Sequence, residues 1–85
     1  MSRHNVEWSA DVLEELAEIW LRASDRAAIT IAQTAIDNQL SVNPRIRSAE
    51  IAEGLHKLVM PPLQVYFEID DNAHLVKVTG ISLHS

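Results

Sequence analysis

The sequence has 85 residues, of which 47% are hydrophobic and 22% are charged, and it contains no cysteine. This length provides for one hydrophobic core, so we expect residues 1–85 to form a single domain. The lack of cysteine excludes disulfide bonds and thiolate metal sites. Seven Lys and Arg against twelve Asp and Glu give a net charge of −5, which excludes the broadly basic surface of most nucleic-acid-binding proteins.

Neither a secretion signal nor a membrane-spanning segment is recognisable in the sequence. The segment Met1–Glu7 lacks the apolar core of a signal peptide, and no apolar run reaches the length of a spanning helix. We therefore expect a cytoplasmic protein without a membrane partner. The four histidines lack the spacing of helical metal ligands, and no glycine-rich phosphate loop or nucleophile elbow occurs, so we predict neither a metal site nor a cofactor.

The first half of the chain predicts one short strand and two amphipathic helices. Val6 and Trp8 alternate with polar residues, which is typical of a strand. Ser9 is a favourable N-cap for a first helix, and Ser24 or Asp25 for a second. Apolar residues then recur at helical spacing. They are Val12, Leu13, Leu16, Ile19, Trp20 and Ala23 in the first helix, and Ala28, Ile29, Ala32, Ala35, Ile36 and Leu40 in the second.

The second half of the chain predicts β-structure. Pro44 disfavours helical geometry at the preceding residue and so ends the second helix. We interpret Ser48–Ala52 as a single helical turn. After Gly54 the period of the apolar residues changes to two, which is typical of strands. The predicted strands are Leu55–Val59, Leu63–Ile69 and Leu75–Thr79, with a hairpin loop at Asp70–Ala73 and a closing segment at Gly80–Ser85.

The element order β-α-α-β-β-β predicts an α+β fold, with a helical hairpin packed on one face of a small, mainly antiparallel sheet. The predicted core combines one strand face with both helices: Leu63, Val65, Phe67 and Ile69 with Leu16, Ile19, Trp20, Ile29, Ala32 and Ile36. The face opposite the helices is predicted to carry Tyr66, Val76 or Val78 beside Gln64 and Glu68. We expect a protein partner to cover that face or the edge of the first helix.

Three stretches of the chain, in this order, carry a resemblance to a known family. They are VEWSADVLEELAEIW for a strand and first helix, QLSVNPRIRSAE for the end of the second helix and its proline loop, and GLHKLVMPPLQVYFEIDDNAHLVKVTGI for three final strands. Together they resemble the RelE/ParE superfamily of toxins from bacterial type II toxin–antitoxin systems. The resemblance implies an antitoxin as partner, and the ribosome with its mRNA or DNA gyrase as a target. A second copy of the chain, forming a homodimer, is the other candidate to cover the open face or the edge of the first helix.

The resemblance also implies where a catalytic site would lie. Ribosome-dependent nucleases of this superfamily carry a cluster of Arg, Lys, Tyr, Glu or His on the concave sheet face. Gln64 stands where many members have an arginine before a V-x-Y element. Ser82–Ser85 stands where some members end in R-x-H-Y, so that His84 alone matches. An imidazole there is a candidate general acid or base, because its pKa is ordinarily near neutrality.

Four further residues complete the candidate site that the resemblance implies. Glu50 and Lys57 stand where such enzymes sometimes have a base and a phosphate-contacting lysine. Arg45 and Arg47, in the loop after the second helix, are the candidates for RNA contact.

Four functions are consistent with the sequence. The favoured one is a toxin-like protein that acts through a protein partner, with little or no nuclease activity, because Gln64 cannot hold a positive charge against a scissile phosphate. The alternatives are an active ribosome-dependent mRNA endonuclease, a ParE-like gyrase inhibitor, and a solitary structural or regulatory interaction module.

Overall fold

The computed structural model describes residues 3–84, which form two helices and a five-stranded sheet. The elements are β1 (Asn5–Trp8), α1 (Ala10–Arg22), α2 (Arg26–Val42), β2 (Ser48–Ala52), β3 (Leu55–Met60), β4 (Leu63–Asp70) and β5 (Leu75–Leu83). The strand order is β1-β5-β4-β3-β2. Within residues 3–84 only the β1–β5 pair is parallel, so the predicted α+β class and mainly antiparallel sheet are confirmed. Neither helix combines the length and apolar character that crossing a lipid bilayer requires.

Each helix begins at a capping residue that the sequence predicted. Ser9 Oγ accepts a hydrogen bond of 3.2 Å from the backbone N–H of Val12, and Asp25 Oδ1 accepts one of 3.0 Å from that of Ala28. These bonds satisfy backbone donors that have no partner within the helix. The guanidinium of Arg26 then donates to two of the last carbonyls of α1, at 3.2 and 3.1 Å. The end of α1 and the start of α2 are thereby joined.

The hydrophobic core lies between the two helices and one face of the sheet. Its buried members are Val12, Leu16, Ile29, Ala32, Ile36, Leu40, Leu58, Leu63, Val65, Phe67, Val76, Val78 and Ile81. The predicted burial of Leu16, Ile29, Ala32 and Ile36 is confirmed, while Ile19 and Ile69 pack against this core half-buried. Trp8 packs against one side of this core, and its indole Nε1 donates a hydrogen bond of 3.0 Å to Asp37 Oδ1 of α2.

The segment Ser48–Ala52 is a strand, so the prediction of a helical turn there was wrong. As β2 it pairs antiparallel with β3, with Ser48 opposite Leu58 and Ala52 opposite Leu55, and its register shifts after Glu50. Pairing with β3 provides this segment with a ladder of backbone hydrogen bonds. Such tertiary pairing overrides the weak local preference of a short polar segment.

Val76 and Val78 lie on the covered face of the sheet, so their predicted place on the open face was wrong. Val78 is paired with Phe67, and Val76 with Ile69. Residues directly opposite each other on neighbouring strands share a face. Both valines are fully buried beneath the helices and are unavailable to a partner.

The row of apolar residues along α1 is wider than the side of the helix that packs on the core. The prediction that Trp20 belongs to the core was therefore wrong. Trp20 is 40% exposed and Leu13 is 47% exposed. The helix buries the side that carries Val12 and Leu16, and both exposed residues lie beside that side. The guanidinium of Arg26 lies over the Trp20 ring, 4.7 Å from its centroid, so one part of the indole has a cationic neighbour instead of an apolar one.

Truncating Phe67 tests the position of the core. The substitution Phe67→Ala should lower the free energy of unfolding by about 3–5 kcal/mol, because it leaves a cavity among fully buried side chains. Urea unfolding followed by circular dichroism measures the change. Ile31→Ala, at a residue that is 68% exposed, is the matched control and should change stability by less than about 0.5 kcal/mol. Equal effects of the two substitutions would contradict this placement of the core.

Candidate functional site

The open face of the sheet brings three of the predicted site residues together. Lys57 is paired with Tyr66, which in turn is paired with Gly80. Gln64 is paired with Ser82 one row further along, and its side-chain Nε2 donates to Ser82 Oγ at 2.8 Å. Lys57, Gln64 and Tyr66 therefore occupy neighbouring positions on the face that the helices leave uncovered.

Tyr66 lies directly over Gly80. A Cβ atom at position 80 would be 3.1 Å from Tyr66 Cδ2, closer than about nine in ten real contacts of this kind. The absence of a side chain at Gly80 is therefore what admits the ring at this point of the sheet. This contact gives Tyr66 a packing role on the open face.

The charges of the open face are balanced. Lys77 is paired with Glu7 on one side and with Glu68 on the other, an arrangement in which opposite charges attract across strands. The five strands carry two lysines and no arginine. Lys57 is consequently the one strand cation without an acidic residue directly opposite it, since its neighbours there are Ala49 and Tyr66. This face does not form the positively charged surface that phosphate binding requires.

His84 lies at the same end of the sheet as Gln64. Its backbone N–H donates to the carbonyl of Pro62 at 2.8 Å, one residue beyond the pair formed by Leu63 and Leu83. The residue is exposed. Ser85, which completes the segment aligned with the R-x-H-Y ending, lies outside the described residues.

Glu50 lies on the opposite side of the sheet from Lys57. It is paired with His56, whose ring stacks on buried Phe67 with a centroid separation of 5.4 Å. The Glu50 carboxylate accepts a hydrogen bond of 3.1 Å from the backbone N–H of Gly54. The structure therefore does not bring Glu50 to the residues that it was predicted to assist.

Arg45 is bound to the hairpin between β4 and β5. Its Nη1 and Nη2 donate to the two carboxylate oxygens of Asp71, at 3.2 and 2.8 Å. These hydrogen bonds lower the pKa of Asp71 and raise that of Arg45, because both charged forms are stabilised. His4 Nε2 lies 3.5 Å from Asp71 Oδ1, and within residues 3–84 neither ring nitrogen of His4 has a hydrogen-bond partner.

Arg47 is exposed and also lies away from the open face. It lines a groove with Ile46 and Met60, between α2 and the sheet. Met60 is paired with Leu63, which belongs to the covered face. The two arginines predicted to contact RNA therefore do not join Lys57 and Gln64. Across residues 3–84, no group of three His, Asp or Glu residues is arranged to hold a metal ion.

The sequence predicted a partner at the edge of the first helix but placed the exposed Trp20 in the core. Leu13, Trp20 and Leu21 line a shallow groove on α1, together with Ala17 and with Gln33 of α2. The sequence did indicate this exposure, because the apolar residues of α1 cover a wider arc of the helix than one contact with the core can bury.

Comparison with solved structures identifies the fold. The chain is similar to a chain in the crystal structure of the toxin–antitoxin complex RelBE2 (Rv2865-2866) from Mycobacterium tuberculosis. The TM-score is 0.81 at 13% sequence identity, and the match covers 99% of this chain and 94% of that chain. Comparisons with protein-family models and with curated proteins found no match. The chain has a RelE-like fold.

The ion pair between Arg45 and Asp71 makes stability depend on pH. Because the pKa of Asp71 is lower in the folded state, its stabilising contribution is present above the unfolded pKa of about 3.9 and is lost as the pH falls through the folded pKa. Asp71→Asn should therefore lower the melting temperature at pH 7 and have little effect near pH 2. Thermal melts of both proteins across this range measure the difference. Glu53→Gln, at an exposed carboxylate, is the control and should melt like the parent at pH 7. A constant difference at every pH would contradict the assignment.

Proposed function

We propose that this chain is a toxin-like member of the RelE/ParE superfamily, which acts in the cytoplasm as part of a type II toxin–antitoxin system. It acts through a protein partner, an antitoxin, and has little or no RNA-cleaving activity. Two features support this: the fold is similar to that of a protein in a toxin–antitoxin complex, and the open sheet face retains few groups suited to phosphate chemistry.

The hydrogen bond between Gln64 and Ser82 is the observation that carries the proposal. Cleavage of an RNA backbone develops negative charge on the phosphate, which positively charged groups must stabilise. At the position where many members of the superfamily have an arginine, this chain has a neutral amide, and that amide donates to a neighbouring hydroxyl. Lys57 alone remains to face a phosphate on this part of the sheet.

The acid and base that RNA cleavage uses are also not assembled. General acid–base catalysis requires groups within hydrogen-bond reach of the reacting atoms. His84 lies at one end of the open face, whereas Glu50 is on the covered side and is bound to Gly54. On the described strands, neither Lys57 nor Gln64 is paired with a residue that carries a carboxylate or an imidazole.

The apolar side chains outside the core support a protein partner. Leu13, Trp20 and Leu21 are exposed on α1 and line one shallow groove. Contiguous exposed apolar groups of this kind mark protein-interaction surfaces. An antitoxin that covers α1 would remove them from water, and a second copy of the chain is the alternative occupant of this surface.

Induced expression tests the proposal in cells that lack the protein encoded by the adjacent reading frame. We expect growth to slow, transcripts on translating ribosomes to remain uncleaved, and growth to recover when the adjacent protein is co-expressed. Growth curves and mapping of transcript 5′ ends measure the two effects. Slow growth with intact transcripts would direct the search for a target to proteins such as DNA gyrase.

Two results would contradict this proposal. Codon-specific cleavage that disappears in His84→Ala but persists in His74→Ala would establish the mRNA endonuclease instead; His74 is exposed at the opposite end of the sheet and serves as the matched control. Unchanged growth with and without the adjacent protein would favour a solitary interaction module.

A further inference from the structure

The second half of β5 has a strand neighbour on one side only. β1 is paired with β5 from Leu75 to Val78, and the backbone N–H of Ser9 donates to the carbonyl of Val78 at 3.3 Å as the chain leaves the sheet. From Gly80 to Leu83, the strand is paired with β4 alone within the described chain, and Thr79 lies at the register shift between the pairs Phe67–Val78 and Tyr66–Gly80. Unpaired N–H and C=O groups on such an edge are a template for another strand.

The opposite edge of the sheet is formed by β2, which has five residues and a register shift after Glu50. The free stretch of β5 has a similar length and also begins at a register shift, so length and regularity do not distinguish the two edges. The edge of β5 differs because a groove lined by α1 runs beside it.

A groove runs along this edge between β5 and α1, and we call it the β5 groove. One wall is Thr79–Leu83. The other wall is formed by four exposed acidic residues of α1, which are Asp11, Glu14, Glu15 and Glu18. Towards the end of β5 the groove becomes apolar, with Ile19 and Ala23 of α1 beside Leu83, which is 59% exposed.

The acidic wall is not neutralised by the chain itself. Within residues 3–84, no ion pair involves any of its four carboxylates. Arg22 lines the far end of the groove, one helical turn from Glu18, but its guanidinium is not within 4 Å of that carboxylate. The groove therefore attracts positively charged side chains and repels phosphate groups.

We propose that the β5 groove binds an extended, basic segment of the protein partner, which adds to the sheet as a strand beside Thr79–Leu83. The inference rests on the proposed function for the existence of that partner. Five residues of β5 span about 17 Å, which matches a short strand. Alternate side chains of the added segment face α1, where lysine or arginine meets Glu15 and Glu18 and an apolar residue meets Leu83.

A second copy of this chain does not satisfy the same groove. Pairing two β5 edges would bring two acidic walls into one interface, with four carboxylates from each copy. Like charges brought together at an interface disfavour association. Charge thus selects a basic partner segment over self-association at this edge.

A synthetic peptide tests the groove without the natural partner. The probe is a peptide of alternating valine and lysine, about eight residues long, with alternating valine and glutamate as the control peptide. Titration into isotope-labelled protein at low salt should shift the backbone amide resonances of Thr79–Leu83 and of the acidic side of α1. Hydrogen exchange should slow at Thr79–Leu83 as backbone hydrogen bonds form. The glutamate peptide should produce neither effect.

Charge reversal in the groove should weaken this binding. Glu18 lines the groove along its length, so Glu18→Lys should lower the affinity for the lysine peptide at least about fivefold, and Glu18→Gln by less. Glu53→Lys changes the net charge equally at an exposed site outside the groove and should leave the affinity within about twofold. Circular dichroism verifies that each variant is folded.

The outcomes separate this inference from the proposed function. Resonance shifts that map elsewhere, or equal losses in Glu18→Lys and Glu53→Lys, would overturn the inference even if the adjacent-frame protein forms a complex. Binding that maps to the groove and depends on Glu18 would support it. This result would stand even if that protein neither binds nor restores growth, which would be a failure of the proposed function alone.

Discussion

Burial of one face of β4 beneath the two helices is the interaction on which the rest of the structure depends. Leu63, Val65 and Phe67 are completely removed from water, and they contribute most of the core together with the valines of β5 and the inner residues of α2. This burial decides which side of the sheet the helices cover. It leaves Lys57, Gln64 and Tyr66 on the open face and makes the buried Val76 and Val78 unavailable to a partner.

The surfaces left open differ in chemistry, and this difference underlies the functional account. The open face is charge-balanced around Lys77 and has a neutral amide at Gln64, so it is poorly suited to a phosphate. The outside of α1 is apolar at Leu13 and Trp20 and acidic along the β5 groove. Apolar contact and uncompensated carboxylates suit a protein partner, whereas they disfavour nucleic acid.

Much of the fold could be predicted because the caps and the periodic apolar residues report local structure directly. The strand position of Ser48–Ala52 could not, since it depends on pairing with β3 rather than on its own sequence. Val76 and Val78 alternate with Lys77 and Thr79, and this alternation indicated that the two valines share a buried face. The register irregularity at Thr79, which then buries Ile81 as well, appears only when β4 and β5 are paired. The separation of Glu50 from Lys57 likewise follows from pairing between strands.

Co-purification with the protein of the adjacent reading frame measures most directly whether this chain acts through a protein partner. The two are expressed together with an affinity tag on the adjacent protein, and light scattering gives the mass of the eluted species. The account predicts a stable complex in which both chains are present in a fixed ratio. Recovery of the adjacent protein alone, with this chain eluting separately as a monomer, would contradict it.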